Sequence, residues 1–490
     1  MKHVYIGLDI GTTSIKLSAV DNKLNTLYEN QYMYNYLTPH KGWREIDPNT
    51  WVEIVLEGLK ELFLRVSPHE VKGFGITGQM HTTVFIDKHG CSVRPAIMWN
   101  DTRTKEMIPK IKARLKAHES SAHIAKIVST GSPLANLLWV KENEPENFDA
   151  IDKILFAKDY VILKLTGHYS TDYCDSSTSS LYDLNKDGWS ETVQNEFGFN
   201  KEIFPPINYS SAVVGELTEE IRERLGIEAR ISMVAGTGDN VAAALASACF
   251  ENDQPLISLG TSGVLVIPNQ FHQLKDAGKN VVAKIQNGDD TIITQGTVQA
   301  GGKSNSWWME NIYRTKDYAQ EQEHIPTQLL GNNDVIFFPH LNGEKTLHAN
   351  PEIRGAFVGL SLETTREEMY LAVLEGVAFG IRRLFDFMRN EEDPKYFTVV
   401  GGGAKSGLWL NIFANIMQFP IKHVRKSQEA VHGAAILAIT ASEGAFSFDS
   451  HEYQMIQPDE LLVQKYNKKY DNYLVLSDAI LQYTEAVKNK

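Results

Sequence analysis

The chain has 490 residues, 42% of them hydrophobic and 22% charged, and its formal net charge is −13. This length is too great for one ordinary hydrophobic core and predicts at least two domains. The negative charge argues against a nucleic-acid partner, because such proteins usually carry a basic face. No apolar run approaches ~18 residues, so no membrane span is predicted. Three scattered cysteines and the lack of an apolar leader indicate a cytoplasmic protein.

The first residues predict a β-hairpin. Two apolar runs, 4–9 and 15–20, flank a turn rich in glycine and threonine, and a third strand is predicted over 26–34. The turn consists of Gly11, Thr12, Thr13 and Ser14. Clustered backbone N–H groups and hydroxyls in such a turn are suited to binding an anion.

Two charged residues lie beside this turn. Lys16 would add a cation to an anion site. Asp9, at the end of the first strand, is predicted to hold Mg²⁺ through water, because Mg²⁺ keeps part of its hydration shell. The simpler interpretation is an ordinary hairpin with favourable turn residues.

Helical and strand signals follow the hairpin. Asp47 and Pro48 predict the start of a helix, since an aspartate can accept the first amides and proline suits the first helical position. Strands are predicted over 71–77 and 82–87, on either side of GQMH. The section 100–230 is predicted to mix helices with polar loops such as TDYCDSSTSS.

The second half of the chain repeats the first in outline. SLGTSGVLVI belongs to a hairpin predicted over 255–267 and again places glycine and threonine between two strands. Other predicted elements are helices over 240–250, 366–389 and 409–417, and a strand over 397–400 that leads into GGGAKSG. A duplicated α/β unit explains the parallel, with one domain over 1–250 and another over 251–490. Two such domains are expected to leave a cleft between them, and clefts of this kind are favoured ligand sites.

The repetition favours phosphate binding over an ordinary turn. The second turn consists of Gly260, Thr261, Ser262 and Gly263. Two copies of the motif, one of them beside an aspartate, are hard to explain by turn preference alone. Two other phosphate motifs are excluded. AGGKS at 300–304 has Thr297 where the Walker motif needs glycine, and no G-x-G-x-x-G follows the first strand.

Six segments together resemble one family. DIGTTSIK, GQMH, WNDTR, GTGDN, SLGTSGV and GGGAKS occur in the order typical of the FGGY carbohydrate kinases. GAFVGLSLETTREEMYLAVLEGVAFG resembles the C-terminal signature of that family, so the resemblance covers nearly the whole chain. It implies an α/β fold of two actin-like (ribonuclease H-like) domains with a catalytic cleft between them. It also implies ATP-dependent phosphorylation of a sugar, with Mg²⁺.

Within the family, the chain is most similar to members that act on D-xylulose. Those members typically carry Q-M-H, W-N-D-x-R and G-x-G-D-N, whereas members acting on gluconate more often show S-D-G in place of GDN. Ribulose, another ketose, glycerol and gluconate remain alternative substrates. The chain also departs from the family pattern, since Asn136 and Lys345 replace a usual lysine and arginine, and Leu347 replaces a proline.

The resemblance implies roles for named residues. Asp239 is the expected general base, although an aspartate before the helical stretch VAAALASA could also serve only as its N-cap. Asp9 and Asp239 are both expected to be catalytic and to lie at the metal. The expected sugar contacts are Gln79, Met80, His81, Asn100, Asp101 and Asn240. Trp99 could form a wall of the sugar site or fill the core, and the core is the expected position.

The nucleotide is expected to lie against small and hydroxylated residues. Its expected contacts are Gly11, Thr12, Thr13, Ser14, Lys16, Gly260, Thr261, Gly302, Ser306, Gly402, Gly403 and Ala404. At Gly402, Gly403 and Ala404, the lack of a large side chain would let adenosine approach the backbone closely. Trp307 and Trp308 are predicted to pack in the core rather than to contact the nucleotide.

Two other classes of protein share part of this pattern. An actin- or Hsp70-like ATPase would need the hairpins but not GQMH or GTGDN. A sugar sensor without catalysis would not need Asp9 and Asp239. The expected partners are therefore a small sugar and ATP, with no nucleic acid and no membrane, and a homodimer is among the expected assemblies.

Overall fold

The computed structural model describes most of the chain. The described residues are 3–250, 254–269, 278–344, 346–348, 350, 352–389, 392–424, 429–446 and 453–488. Lys345, one of the departures from the family pattern, lies outside the described residues.

Strands and helices alternate along the chain. The strands are β1 Val4–Ile10, β2 Ser14–Asp21, β3 Thr26–Met33, β4 Glu45–Ile46, β5 Val71–Gly78, β6 Thr83–Ile86, β7 Ala96–Ile97, β8 Lys153–Phe156, β9 Thr171–Asp172, β10 Tyr182–Asp183, β11 Gly188–Trp189, β12 Ile207–Asn208, β13 Val213–Glu216, β14 Ser232–Val234, β15 Thr237–Gly238, β16 Leu256–Leu259, β17 Gly263–Asn269, β18 Lys279–Val282, β19 Ile292–Val298, β20 Ile336–Phe338, β21 Ala356–Val358, β22 Phe397–Val400, β23 Ile421–Val424 and β24 Tyr453–Ile456. The helices are α1 Asn49–Phe63, α2 Ile108–Lys116, α3 Ala122–Ile127, α4 Pro133–Asn143, α5 Pro145–Asp149, α6 Ala157–Thr166, α7 Tyr173–Thr178, α8 Glu191–Phe197, α9 Glu219–Leu225, α10 Asp239–Ala246, α11 Gly301–Trp307, α12 Tyr318–Glu323, α13 Arg366–Met388, α14 Gly407–Met417, α15 Ala430–Glu443 and α16 Glu460–Lys488.

Most of the predicted elements are confirmed within a few residues. Both hairpins, the strands β5 and β22 and the helices α13 and α14 occur where the sequence predicts them. The helix predicted over 240–250 is α10 and ends earlier, at Ala246. Asp47 accepts the backbone N–H of Asn49 at 3.0 Å, as expected for a residue at the start of α1. None of the described helices is both long and apolar enough to cross a membrane.

The chain forms two compact units. The first comprises residues 1–246, 281–291 and 428–449, and the second comprises 247–280, 292–427 and 450–490. The main change of unit falls between residues 246 and 247, and the domain boundary near residue 250 stays a prediction. Helix α15 lies late in the chain but packs in the first unit.

The main sheet of the first unit has the order β13-β14-β5-β1-β2-β3. β1 is antiparallel to β2 and parallel to β5, and β5 is parallel to β14. The short strand β15 also pairs with β5 in parallel. A second sheet in this unit has the order β4-β7-β6-β8. Alternating apolar residues of β1 and β2 form part of the buried core of this unit.

The second unit repeats this strand order. Its sheet runs β24-β23-β22-β16-β17-β19-β18. β16 is antiparallel to β17 and parallel to β22, as β1 is to β2 and β5. The same six-strand order with the same directions in both units supports the predicted duplication.

Helix α13 organises the core of the second unit. It begins with a capping box, in which Thr365 Oγ1 accepts the N–H of Glu368 at 3.2 Å and Glu368 Oε2 accepts the N–H of Thr365 at 2.7 Å. Its apolar face is buried against β17, β19 and β20. Trp308 is buried in the same core and Trp307 packs against it, which is the packing role predicted for both.

Glycines allow α15 to lie directly on the first sheet. A methyl group at Gly75 of β5 would overlap the carbonyl oxygen of Ala434, and one at Gly7 of β1 would overlap that of Val431. Gly433 makes a similarly close approach to α10, at the carbonyl of Ala242. The small residues of α10 are therefore explained by its contact with α15.

The polar segment TDYCDSSTSS is not the loop that the sequence predicts. It forms β9 and α7, and its residues are almost completely buried. The hydroxyls of Ser176, Ser177 and Thr178 donate to backbone carbonyl oxygens one turn earlier, at 3.1 to 3.2 Å. Asp172 accepts the first amides of the helix. Because these polar groups bond locally, the segment can be buried without unpaired hydroxyls at those positions.

Candidate active site

The register of three neighbouring strands brings two aspartates to one edge of the first sheet. Asp9 of β1 pairs with Thr77 of β5, and Thr77 pairs with Thr237 of β15. The three strands are parallel to one another through β5, so their carboxyl ends meet at the same edge. Asp239 begins α10 directly after β15. The Thr77 hydroxyl donates to the Thr237 carbonyl at 2.7 Å and holds β15 at this edge.

Asp9 and Asp239 are close enough for the charge of one to affect the other. Burial and then the charge of Asp239 raise the pKa of Asp9 to about 7, against the opposing effect of Lys16. Burial raises the pKa of Asp239 to about 6. The N–H of Asn240 donates to Asp239 Oδ1 at 2.8 Å and favours the ionised form. A carboxylate with a pKa closer to neutrality than usual is suited to accepting a proton.

Asp9 fits a magnesium site. Its Oδ1 is buried and accepts no hydrogen bond from any residue that the structure describes. Over the same residues there is no cluster of three or more acidic, histidine or cysteine side chains that could hold a metal. Mg²⁺ needs no such cluster, because one or two carboxylates with water and substrate phosphates usually hold it. Asp9, with Asp239 beside it, can supply that pair.

The turn of the first hairpin is fixed by bonds from outside it. The carbonyl oxygen of Gly11 accepts hydrogen bonds from the Tyr34 hydroxyl and from Gln79 Nε2, the second at 3.2 Å. The N–H of Gly11 donates to the Ser14 carbonyl at 2.9 Å and closes the turn. Thr12 and Thr13 lie in the turn held in this way, and phosphate binding there stays a prediction.

Lys16 has a partner that the sequence did not reveal. It forms an ion pair with Glu429, which directly precedes α15 and is 413 residues away along the chain. Glu429 therefore neutralises part of the charge that was predicted to attract phosphate. Only the folding of α15 onto the first sheet brings this carboxylate to the hairpin.

Trp99 is not a core residue, so that prediction is wrong. Its side chain is 42% exposed, and its Nε1 donates to Thr12 Oγ1 at 3.0 Å. Its backbone N–H donates to the Thr82 hydroxyl at 3.2 Å. An indole whose N–H has a polar partner can lie at the rim of a site with its ring exposed. Trp99 thus connects the loop after β7 to the tip of the first hairpin.

Three of the predicted sugar contacts lie in adjoining positions. Asn240 Nδ2 approaches Met80 Sδ at 3.8 Å. A methyl group at Gly238 would come within 2.7 Å of Met80 Cγ and 2.9 Å of Cys174 Sγ, so glycine is required for this packing. Gln79, directly before Met80, is buried and donates its N–H to the Ile10 carbonyl at 2.8 Å.

Asn100 and Asp101 have different environments. Asn100 Oδ1 is buried and accepts no hydrogen bond within the described part of the chain, which makes it a candidate to bind a ligand hydroxyl. Both oxygens of Asp101 are already bonded, since Arg103 binds them at 2.8 to 3.0 Å and the N–H of Arg44 donates to one of them at 2.6 Å. This geometry favours a structural role for Asp101 over the predicted sugar contact.

Three glycine segments meet in the second unit. The N–H of Gly302, at the start of α11, donates to the carbonyl of Gly260 in the second hairpin turn at 2.9 Å. A methyl group at Gly302 would overlap that carbonyl. A methyl group at Gly401 would come within 2.8 Å of the Leu259 carbonyl, just before the same turn. The AGGKS segment is therefore a helix start that packs against the hairpin.

The residues predicted to face adenosine differ in the space around them. A methyl group at Gly402 would meet no atom within 4 Å, whereas one at Gly403 would approach Leu259 and the Trp409 ring at 2.8 Å. Ala404 is buried. The Ser306 hydroxyl donates to the Lys303 carbonyl at 3.2 Å. Internal packing therefore explains the small residues at 403 and 404, and only Gly402 has the open space that the prediction requires.

A buried charged cluster beside the site was not predicted. Lys158 Nζ lies 2.5 Å from Asp159, 3.0 Å from Asp172 and 3.1 Å from Asp175, and all four side chains are buried. Burial would lower the pKa of Lys158, but the three carboxylates outweigh it and raise that pKa well above its usual value. The sequence signal that could have indicated this cluster is the presence of one lysine and three aspartates in the segments AKDY and TDYCD.

Two family models match most of the chain. The model of the FGGY carbohydrate kinase N-terminal domain matches residues 4–246, and that of the C-terminal domain matches 256–442. A xylulose kinase of Staphylococcus xylosus is 30% identical over 481 residues, which cover 96% of this chain and 99% of that protein.

Solved structures give the same result for the fold. The crystal structure of a xyloylose kinase from Brucella ovis has a TM-score of 0.89 and 29% identity, covering 98% of this chain and 100% of that one. A gluconate kinase from Lactobacillus acidophilus also has a TM-score of 0.89, at 22% identity and 98% coverage of both chains. The fold therefore does not select the sugar. With both family models matching across the two units, the chain belongs to the FGGY family of carbohydrate kinases.

Proposed function

We propose that this ATP-dependent sugar kinase transfers the γ-phosphoryl group of ATP to the terminal hydroxyl of D-xylulose, giving ADP and D-xylulose 5-phosphate. The observation that carries the proposal is the position of Asp9 and Asp239 at one sheet edge, next to the contact between Met80 and Asn240. The xylulose kinase of Staphylococcus xylosus, similar over nearly the full length of both chains, supports the choice of sugar.

In this reaction Asp239 is the general base. It accepts the proton of the sugar hydroxyl as that oxygen attacks the γ-phosphorus, and the bond from this phosphorus to the bridging oxygen of ADP breaks. The raised pKa of about 6 keeps Asp239 ionised at neutral pH while making it a better proton acceptor than an exposed aspartate. Mg²⁺ held at Asp9 and Asp239 would neutralise charge on the phosphates.

The sugar is held by groups around Met80. The imidazole of His81 can donate one hydrogen bond and accept another, which suits a molecule with several hydroxyls. The Asn240 amide lies against Met80 and next to the proposed base. Asn100 Oδ1 is a buried acceptor that can pair with a ligand hydroxyl. Both hairpin turns are proposed phosphate sites, each in its own unit.

A substrate competition tests the choice of sugar. D-xylulose, D-ribulose, glycerol and gluconate are supplied together at equal concentration with ATP, and the phosphorylated products are counted by mass spectrometry. We expect D-xylulose to give at least about tenfold more product than any other sugar, because a site whose polar groups pair with particular hydroxyls discriminates against compounds that lack them. His81→Ala is expected to lower kcat/KM most for D-xylulose. The excess of D-xylulose product over the other products should therefore become smaller.

The result also separates the sugar from the reaction class. If gluconate or glycerol gives most of the product, the xylulose assignment is wrong and the assignment to the kinase family stands.

The adenosine site can be tested at Gly402, where an added methyl group meets no protein atom within 4 Å. Gly402→Leu is expected to weaken ATP binding by about tenfold, since the new side chain would occupy the space proposed for adenosine. Isothermal calorimetry measures ATP and sugar affinity separately, and sugar affinity is expected to stay unchanged. Ala404→Leu also tests this site, but its side chain is buried and overpacking would lower stability as well.

Gly407→Leu is the matched control. Gly407, the first residue of α14, is likewise exposed, and a methyl group there meets no atom within 4 Å. This variant should bind ATP as the unaltered chain does. Equal ATP affinity for both leucine variants would move the adenosine site away from GGGAKS.

A further inference from the structure

His81 has an unusual backbone conformation. Its φ is +70°, in the left-handed region that residues with a β-carbon rarely adopt. The residue lies between the end of β5 at Gly78 and the start of β6 at Thr83, where the chain reverses direction. Such a conformation persists only where surrounding contacts hold it. The contacts that hold His81 therefore determine where its imidazole points.

Thr83 supplies one of these contacts. Its hydroxyl donates to the carbonyl oxygen of His81 at 3.0 Å. The Thr83 side chain is completely buried, and its backbone pairs with Ile97 of β7 and Phe156 of β8. A threonine hydroxyl has one proton. Because that proton is used on His81, the oxygen of Thr83 can only accept a bond from a third group.

Asn136 is that third group. Its Nδ2 donates to Thr83 Oγ1 at 3.0 Å and approaches the Gly131 carbonyl at 3.4 Å. The opposite amide orientation would place a second oxygen against both acceptors, so the chemistry of the partners fixes the orientation. Asn136 lies on α4 and is completely buried.

The same asparagine reaches the loop that carries Asn100. Gly131 lies so close to this loop that a methyl group there would overlap the carbonyl oxygen of Trp99. Asn136 thereby links two segments that both contain proposed sugar contacts, His81 in one and Asn100 in the other.

We propose that Thr83 and Asn136 are positioning residues, which fix the left-handed His81 and so set the affinity for the sugar. The inference rests on the proposed function of His81 as a sugar contact. Neither residue needs to touch the sugar, because each acts through the next hydrogen bond in the order Asn136, Thr83, His81. Loss of either bond lets His81 relax toward an ordinary conformation and moves its imidazole.

Steady-state kinetics of the full chain test this proposal. Thr83→Val keeps the shape of the side chain and removes the hydroxyl. We expect it to lower kcat/KM for D-xylulose by about tenfold, mainly through a higher sugar KM, with the KM for ATP within about twofold of the unaltered chain. Thr83→Ser restores the hydroxyl and should recover most of the loss. Asn136→Leu should likewise raise the KM for the sugar and leave the KM for ATP within about twofold.

A double variant tests whether the two residues act in series. Thr83→Val with Asn136→Leu should lower kcat/KM no further than the more severe single variant, because either change interrupts the same chain of bonds. If the losses of kcat/KM in the two single variants add up in the double variant, the two residues do not act in series.

Thr166→Val is the control for loss of a buried hydroxyl. Thr166 donates to the Ile162 carbonyl at 2.8 Å on α6, so its replacement should lower the melting temperature without changing the sugar KM. If Thr83→Val and Asn136→Leu change only the melting temperature, as Thr166→Val does, the positioning role is wrong. If Thr83→Val does not fold, the comparison of Asn136→Leu with Thr166→Val decides the matter in the same way.

His81→Ala separates this inference from the proposed function. A raised sugar KM in His81→Ala together with an unchanged one in Thr83→Val and Asn136→Leu overturns the positioning role and leaves the sugar site intact. An unchanged sugar KM in His81→Ala shows that the proposed sugar contact is itself wrong, and the positioning inference then fails with it.

Discussion

Replacing Asp239 with asparagine is expected to lower kcat by about 10²-fold or more. Asparagine preserves the shape of the side chain but cannot accept the proton of the sugar hydroxyl, and loss of a general base typically costs this much. The variant should bind ATP and sugar with little change in affinity. A coupled assay for ADP release measures the rate, and calorimetry measures the two affinities.

The same variant distinguishes catalysis from helix capping. Asp239 Oδ1 accepts the N–H of Asn240 at the start of α10, so the residue also serves the helix terminus. Asparagine is as good a residue as aspartate at such a terminus, and the melting temperature should therefore stay the same. A variant that retains near-normal kcat would show that Asp239 is only a capping residue.

The second large effect is expected at Lys158. Lys158→Met removes the cation that faces Asp159, Asp172 and Asp175 and leaves three carboxylates buried without a counter-charge. Breaking a buried ion pair in this way costs about 3–5 kcal/mol. For a unit of this size, that loss corresponds to a fall in melting temperature of about 10 °C. Differential scanning calorimetry or a dye-based thermal scan measures it.

Two further variants supply a control and a partial rescue for this prediction. Lys186→Met is the matched control, because Lys186 pairs with Glu191 at 2.9 Å on an exposed surface and its loss should change the melting temperature little. Adding Asp175→Asn to Lys158→Met removes one of the three buried charges and should recover part of the loss. Equal melting temperatures for Lys158→Met and the unaltered chain would show that the cluster does not stabilise the fold.

Local sequence signals were sufficient to predict several helices and strands. The β1–β2 hairpin follows from alternating apolar residues around a glycine turn, and α1 begins where Asp47 can accept its first amides. Thr365 and Glu368 form the capping box at the start of α13. These features depend on residues within a few positions of each other, so the sequence pattern predicts them directly. The order of the family motifs likewise determined the class of enzyme.

Contacts between distant segments decided the rest. The prediction failed for TDYCDSSTSS because its two buried aspartates are paired with Lys158, which comes from another helix. It could not find Glu429 beside Lys16, since the approach of α15 depends on the glycines of β1 and β5. The hydrogen-bond partner of the Trp99 indole is likewise distant in sequence, since Thr12 lies 87 residues away. Composition and spacing report what a segment prefers locally, whereas burial and charge pairing are properties of the partners that folding brings to it.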